Sequence, residues 1–100
     1  MNTHSMKQVT IVCEAYAREP LLTLLSEAGA HGWTLFEVEG FGHQGRRDAD
    51  IPEYANIQVQ VVLQPSAADT LLERLQSELF PKFAMIAYES DVRVIRAQKF

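Results

Sequence analysis

Apolar and polar residues alternate along four segments of this chain with a period of two, which is typical of half-buried strands. The most regular of them runs from residue 55 to residue 64, where Ile57 and Val59 point to one face and Gln58 to the other. The four predicted strands cover residues 7–15, 33–41, 55–64 and 84–96.

Two further segments have the 3.6-residue spacing of amphipathic helices. The first starts near Pro20, which suits a first helical turn, and stops at the glycines that begin with Gly29. The second follows Pro65, with Ser66 as the predicted N-cap and Asp69 completing a capping box. The predicted buried stripes are Leu21, Leu24, Leu25 and Ala28 in the first helix, and Ala68, Leu71, Leu72, Leu75 and Leu79 in the second.

This order of elements, β-α-β followed by a polar segment and β-α-β, predicts an α+β fold. Two such halves build the ferredoxin-like β-α-β-β-α-β sandwich, a four-stranded antiparallel sheet with both helices on one face. We expect a disordered N-terminus over residues 1–6 and a single domain over residues 7–100. The helix-free sheet face should be covered by further copies of the chain in a closed homo-oligomer. The alternative is a monomer whose bare face consists mostly of glutamines.

A long polar segment, Phe41 to Tyr54, joins the second and third strands, although a two-residue turn would suffice. Its first half contains closely spaced glycines followed by Arg46 and Arg47. Glycines let backbone N–H groups form a concave nest for an anion, and guanidinium groups match phosphate or carboxylate oxygens in pairs. The segment is therefore either an anion-binding loop or a solvated hairpin tip.

Composition narrows the functional classes. The net charge of −4 disfavours nucleic acid as a partner, and the apolar runs are shorter than the ~20 residues that cross a bilayer, so we expect no membrane insertion. The lone Cys13 lies in an apolar run, which predicts a buried thiol and a cytoplasmic location. The three histidines lack zinc-ligand spacing, so no metal site is expected. No catalytic motif is present, and we predict a binding protein that is not an enzyme.

At residues 32–45, the stretch GWTLFEVEGFGHQG resembles the second strand and loop entrance of PII signalling proteins, where Gly-Phe-Gly, one residue and Gln open the T-loop. The likeness extends over the chain after Met6. The stretches EYANIQVQV and FPKFAMIAYES are similar to those of the carboxysome-associated PII-like proteins.

The resemblance implies a cytoplasmic, carboxysome-associated homotrimer that senses inorganic carbon. Such proteins bind ADP or AMP, and also bicarbonate, in clefts between subunits, with no tightly bound cofactor. The T-loop, here residues 41–54, reports the bound ligand to a regulatory target protein, whose identity the sequence does not give. The alternative is a ligand-free ferredoxin-like oligomer that serves as an interaction module.

Carried over residue by residue, the resemblance assigns the nucleotide site to the loop entrance, to Thr34 in the second strand, to Lys82 and to one of the C-terminal arginines. The alternative for Lys82 is a solvated cation at the helix end. Tyr88 is a further candidate, as a contact to the base or as a packing residue. FPKF replaces the glycine-rich phosphate loop of other members, which favours ADP or AMP over ATP. Arg93 and Arg96 are three apart, so on a strand they would point to opposite faces. The predicted nucleotide-binding residues are Thr34, Gly40, Phe41, Gly42, His43, Gln44, Gly45, Arg46, Arg47, Lys82, Tyr88 and Arg96.

Overall fold

A computed structural model describes residues 2–39 and 56–100, so the predicted T-loop lies outside the described residues. Four strands form one antiparallel sheet that is accompanied by two helices, which confirms the predicted ferredoxin-like α+β fold. Within the described ranges, no helix has the length and apolar character needed to cross a bilayer. The elements are β1 (His4–Glu14), α1 (Arg18–Glu27), β2 (Thr34–Val38), β3 (Asn56–Leu63), α2 (Pro65–Arg74) and β4 (Met85–Val94). The strand order in the sheet is β2-β3-β1-β4.

The core lies between the helices and one face of the sheet. Ile11 in β1 stands opposite Val59 in β3 and Ala87 in β4, so the central strands place their apolar side chains in one layer. Every second residue of β3 is buried, from Ile57 to Leu63, as the alternating pattern predicts. The largest fully buried side chains are Val9, Ile11, Leu21, Leu25, Val59, Val61, Leu71 and Leu75.

Helix α1 ends in a glycine-dependent cap. The N–H of Ala30 donates to the carbonyl of Leu25 at 3.0 Å, and the N–H of Gly29 donates to that of Ser26 at 3.3 Å. This is the Schellman pattern, which needs a left-handed residue after the helix. Gly29 supplies it with φ +92°, and the predicted stop at this glycine is therefore confirmed.

Helix α2 begins differently from the prediction. Its first residue is Pro65 and its N-cap is Gln64, without a side-chain capping hydrogen bond, so the predicted N-cap at Ser66 is wrong. Proline fits the first helical position because it lacks an N–H that would be left unpaired there. After Arg74 the helix continues into a single π turn over Leu75–Leu79, in which the N–H of Phe80 donates to the Leu75 carbonyl at 2.9 Å.

Two strand boundaries also differ. Strand β1 begins at His4, which pairs with Val94, so the predicted disorder of residues 1–6 is wrong for residues 4–6. Their sequence shows no alternation of apolar and polar positions that would predict a strand, and they are ordered because they pair with β4. Strand β4 ends at Val94, and a 3₁₀ turn follows over Ala97–Lys99. Arg96 therefore lies beyond the strand, and the prediction that it opposes Arg93 across the sheet does not apply.

Candidate functional site

The sheet face without helices combines a polar centre with apolar edges. One row across the sheet places Thr34, Gln60, Thr10 and Tyr88 side by side on β2, β3, β1 and β4. The neighbouring row consists of Phe36, Gln58, Val12 and Ile86. The large apolar side chains of these rows stand on the two edge strands and remain 40–59% exposed: Phe36 40%, Tyr88 54% and Ile86 59%.

Lys82 lies at the end of the sheet from which residues 40–55 depart. Val38 ends β2 and Asn56 begins β3 at that end, and the turn containing Lys82 leads there into Met85 of β4. The N–H of Lys82 donates to the carbonyl of Leu79 at 2.9 Å, which fixes the backbone just after the π turn. The side chain of Lys82 is exposed, as an ammonium that contacts a soluble anion must be.

Arg74 is the centre of a charged cluster that joins α1 to α2 and its π turn. Arg74 donates from Nε to Oε2 of Glu78 at 2.6 Å and from Nη2 to Oε1 of the same carboxylate at 3.0 Å. The same Nη2 donates to Oε1 of Glu27 at the end of α1, at 2.7 Å. The Arg74 guanidinium lowers the pKa of Glu78, with a smaller contribution from the charge of Lys82. The two carboxylates in turn raise the pKa of Arg74.

The predicted site residues are spread over the whole length of one subunit. Thr34 and Tyr88 share a row but stand on opposite edges, three strand spacings or about 14 Å apart. From Tyr88 to Val94 the strand rises roughly 20 Å, and Arg96 lies beyond. Lys82 is at the other end. One subunit therefore does not bring these four residues together around one small ligand.

The remaining predicted site residues lie outside the described residues: Gly40, Phe41, Gly42, His43, Gln44, Gly45, Arg46 and Arg47. A pocket of about 470 Å³ in the described part is lined by Ser5, Met6, Asp91, Val92 and Arg93. It lies along the paired ends of β1 and β4 and includes none of the predicted site residues.

Sequence reasoning missed the Arg74 cluster and the π turn. The four-residue spacing of Arg74 and Glu78 was a usable signal, because such pairs face each other on a helix. The contact to Glu27 depends on how α1 and α2 pack, which no local pattern predicts. The described residues contain no group of three potential metal ligands. Cys13 is buried, and burial raises the pKa of its thiol to about 11.

Similarity to solved structures extends over the whole chain. TTHA0516 from Thermus thermophilus, described as a PII-like signalling protein, shares 36% sequence identity with a TM-score of 0.87, over 100% of this chain and 99% of its own. CPII from Thiomonas intermedia K12, in a structure with ADP, AMP and acetate, shares 25% identity with a TM-score of 0.87, covering 100% and 98% of the two chains.

A second CPII structure, bound to ADP and bicarbonate, has 25% identity and a TM-score of 0.88 over 99% of this chain and 97% of that one. No curated protein matches the sequence. The family model for nitrogen regulatory protein P-II matches residues 6–99, which is nearly the full length. Sequence, strand order and structural likeness agree, and the chain belongs to the P-II family of regulatory proteins.

Proposed function

We propose that this PII-like regulator binds ADP or AMP, together with bicarbonate, in clefts between the subunits of a homotrimer. Residues 41–54 would carry the ligand state to a regulatory target protein. In this proposal the protein is a cytoplasmic sensor of inorganic carbon associated with carboxysomes, and it acts by binding and not by catalysis. The CPII structures support the choice of ligands, because that relative is bound to ADP with AMP or with bicarbonate.

The separation of the site residues within one subunit is the observation that carries the proposal. Lys82 lies at one end of the sheet and Arg96 beyond the other, so a ligand that contacts both must sit between two copies. The edge strands β2 and β4 each present large apolar side chains on the helix-free face. A ring in which one edge of each copy meets the opposite edge of the next would bury them and close after three copies.

The charges available favour a short phosphate chain. Lys82 is the one cation in the turn where other family members have a glycine-rich phosphate loop, and Arg46 and Arg47 would contribute two more from the loop entrance. Guanidinium groups bind phosphate oxygens in pairs, while lysine acts as a single point charge. We therefore expect ADP and AMP to bind more tightly than ATP.

Calorimetry with ADP, AMP and ATP, each with and without bicarbonate, tests the proposal. We expect saturable binding of ADP and AMP and a raised melting temperature, since a ligand at 100 times its Kd stabilises the native state by ~2.7 kcal/mol. The double variant Arg46→Ala, Arg47→Ala should lose most of the ADP affinity while it remains trimeric. If no nucleotide gives heat or a thermal shift at millimolar concentration, the protein is instead a ligand-free interaction module.

A further inference from the structure

The turn that carries Lys82 is held on both sides of this residue. The residue before it is Pro81, whose ring restricts φ to about −65°. The N–H groups of Lys82 and Phe83 both donate to the carbonyl of Leu79, at 2.9 Å and 3.0 Å, and Leu79 is buried. The side chain of Phe83 packs against the hydrophobic core. The backbone of the turn is therefore fixed, while the side chain of Lys82 is exposed.

The ring of Phe83 has a second contact, with an aromatic residue from the first half of the chain. Tyr16 and Phe83 meet edge to face, with their ring centroids 5.5 Å apart and an angle of 62° between the ring planes. This is the geometry of a favourable aromatic pair. Tyr16 lies in a 3₁₀ turn between β1 and α1, Ala15–Ala17, and the fully buried Ala17 fixes this turn in the core. Tyr16 thus supports Phe83 from a fixed position.

Tyr16 itself is not a core residue. Its side chain is 51% exposed, whereas its neighbours Ala15 and Ala17 pack in or against the core. Because half of its surface stays in water, Tyr16 stabilises the fold less than a buried aromatic residue would. Its contact with the ring beside Lys82 indicates a role at that turn.

We propose that Tyr16 is a positioning residue for the nucleotide site: by holding the ring of Phe83, it fixes the turn from which Lys82 contacts a phosphate group. This inference rests on the proposed function, in which Lys82 binds the phosphate. A fixed turn loses less conformational entropy when an anion binds than a mobile turn does. The aromatic contact therefore raises the affinity for the nucleotide, although Tyr16 does not touch it.

Removal of the Tyr16 ring should lower the affinity for ADP about two- to tenfold, the factor that corresponds to the strength of an edge-to-face pair. Tyr16→Phe keeps the ring and removes only the hydroxyl, so it should bind ADP as the wild type does. Gly29→Ala is the control for lost stability. It weakens the cap at the C-terminal end of α1, whereas Tyr16 precedes the N-terminal end of that helix.

Calorimetric titration with ADP of the wild type, Tyr16→Ala, Tyr16→Phe and Gly29→Ala tests the inference, and Tyr16→Ala is also measured in a Lys82→Met background. We expect only Tyr16→Ala to lose affinity, and we expect this loss to vanish once Lys82 is replaced. If Tyr16→Ala binds like the wild type, the inference is wrong. It is equally wrong if Tyr16→Phe or Gly29→Ala reproduces the loss, or if the loss persists without Lys82.

A measurement without ligand separates this inference from the proposed function. Hydrogen exchange followed by NMR should show that the amides of Lys82 and Phe83 exchange about two- to tenfold faster in Tyr16→Ala and at the wild-type rate in Tyr16→Phe. Equal rates in Tyr16→Ala and the wild type would show that Tyr16 does not hold the turn. If the exchange responds but the wild-type protein binds no ADP, the proposed function fails, while the support of the turn by Tyr16 stands.

Discussion

Replacing Ile86 by aspartate should separate the subunits without unfolding them. Ile86 lies on the helix-free face at the edge strand β4 and is 59% exposed in the single chain. Because so much of its surface is free, the fold of one subunit depends little on it. In the proposed ring, however, this surface is covered by the next copy, and a carboxylate there would be buried without a partner.

The size of the effect follows from the exposed fraction. Full burial of an isoleucine side chain contributes about 1.5–3 kcal/mol, so covering the remaining 59% of Ile86 contributes about 1–2 kcal/mol for each contact. Three contacts in a trimer give about 3–5 kcal/mol. The protein concentration at which half of the trimer has dissociated varies with the square root of the dissociation constant. The lost burial alone therefore raises this concentration about 10- to 70-fold. The buried charge adds to this.

Sedimentation equilibrium over a concentration series measures the midpoint directly. The matched control is Thr70→Asp, which adds the same charge at an exposed position of α2, on the side of the sheet that the helices cover. We expect trimers for the wild type and for the control, and folded monomers for Ile86→Asp at micromolar concentration, with an unchanged circular dichroism spectrum. An Ile86→Asp protein that stays trimeric at the wild-type midpoint would refute the assignment of this face as the subunit interface.

Three further predictions concern single side chains. Gly29→Ala should lower the free energy of unfolding by about 1–2 kcal/mol in urea titrations, because φ at Gly29 is +92°. Gly32→Ala is the control and should not lower it, because Gly32 has no positive φ and a Cβ there meets nothing within 4 Å. Because the pKa of Glu78 is lowered in the folded state, its charge stabilises the fold at pH values above the ordinary pKa of glutamate, and this stability is lost as the pH falls through the lowered pKa. The melting temperature of Glu78→Gln should therefore approach that of the wild type in acid. Cys13 should react with a thiol reagent at pH 8 only on unfolding, because its side chain is buried and burial raises the pKa of the thiol to about 11.

Local sequence patterns were sufficient to predict a helix or strand where one of its faces is buried and the other is exposed. The alternation around Ile57 predicted β3 almost to its ends, and the predicted stripe of α2 contains Leu71 and Leu75, which are fully buried. In these elements the position of a residue in the helical or strand repeat decides whether its side chain is buried, so the apolar residues recur with the period of the element. The same patterns could not give the start of β1, because His4 is ordered by pairing with Val94, 90 residues away in sequence.

The candidate site was only partly predictable for a related reason. The family resemblance selected Lys82 and Arg96, which precede and follow β4, so their separation follows from the length of that strand. The separation of Thr34 from Tyr88 across the sheet depends instead on the strand order, which the local sequence does not specify. The contact between Glu27 and Arg74 likewise depends on the packing of two helices. The loop entrance from Gly40 to Arg47 lies outside the described residues, and its role stays a prediction.

Subunit mixing tests the central claim, that one ligand site is built from two copies of the chain. Lys82→Met and Arg96→Met trimers are prepared separately, shown to bind ADP weakly, then dissociated and reassembled together at equal amounts. If each site takes Lys82 from one subunit and Arg96 from its neighbour, random reassembly restores both residues in about one quarter of the sites. Calorimetry should then detect that fraction with wild-type affinity for ADP. Reassembled trimers that bind no better than their parents would contradict the claim.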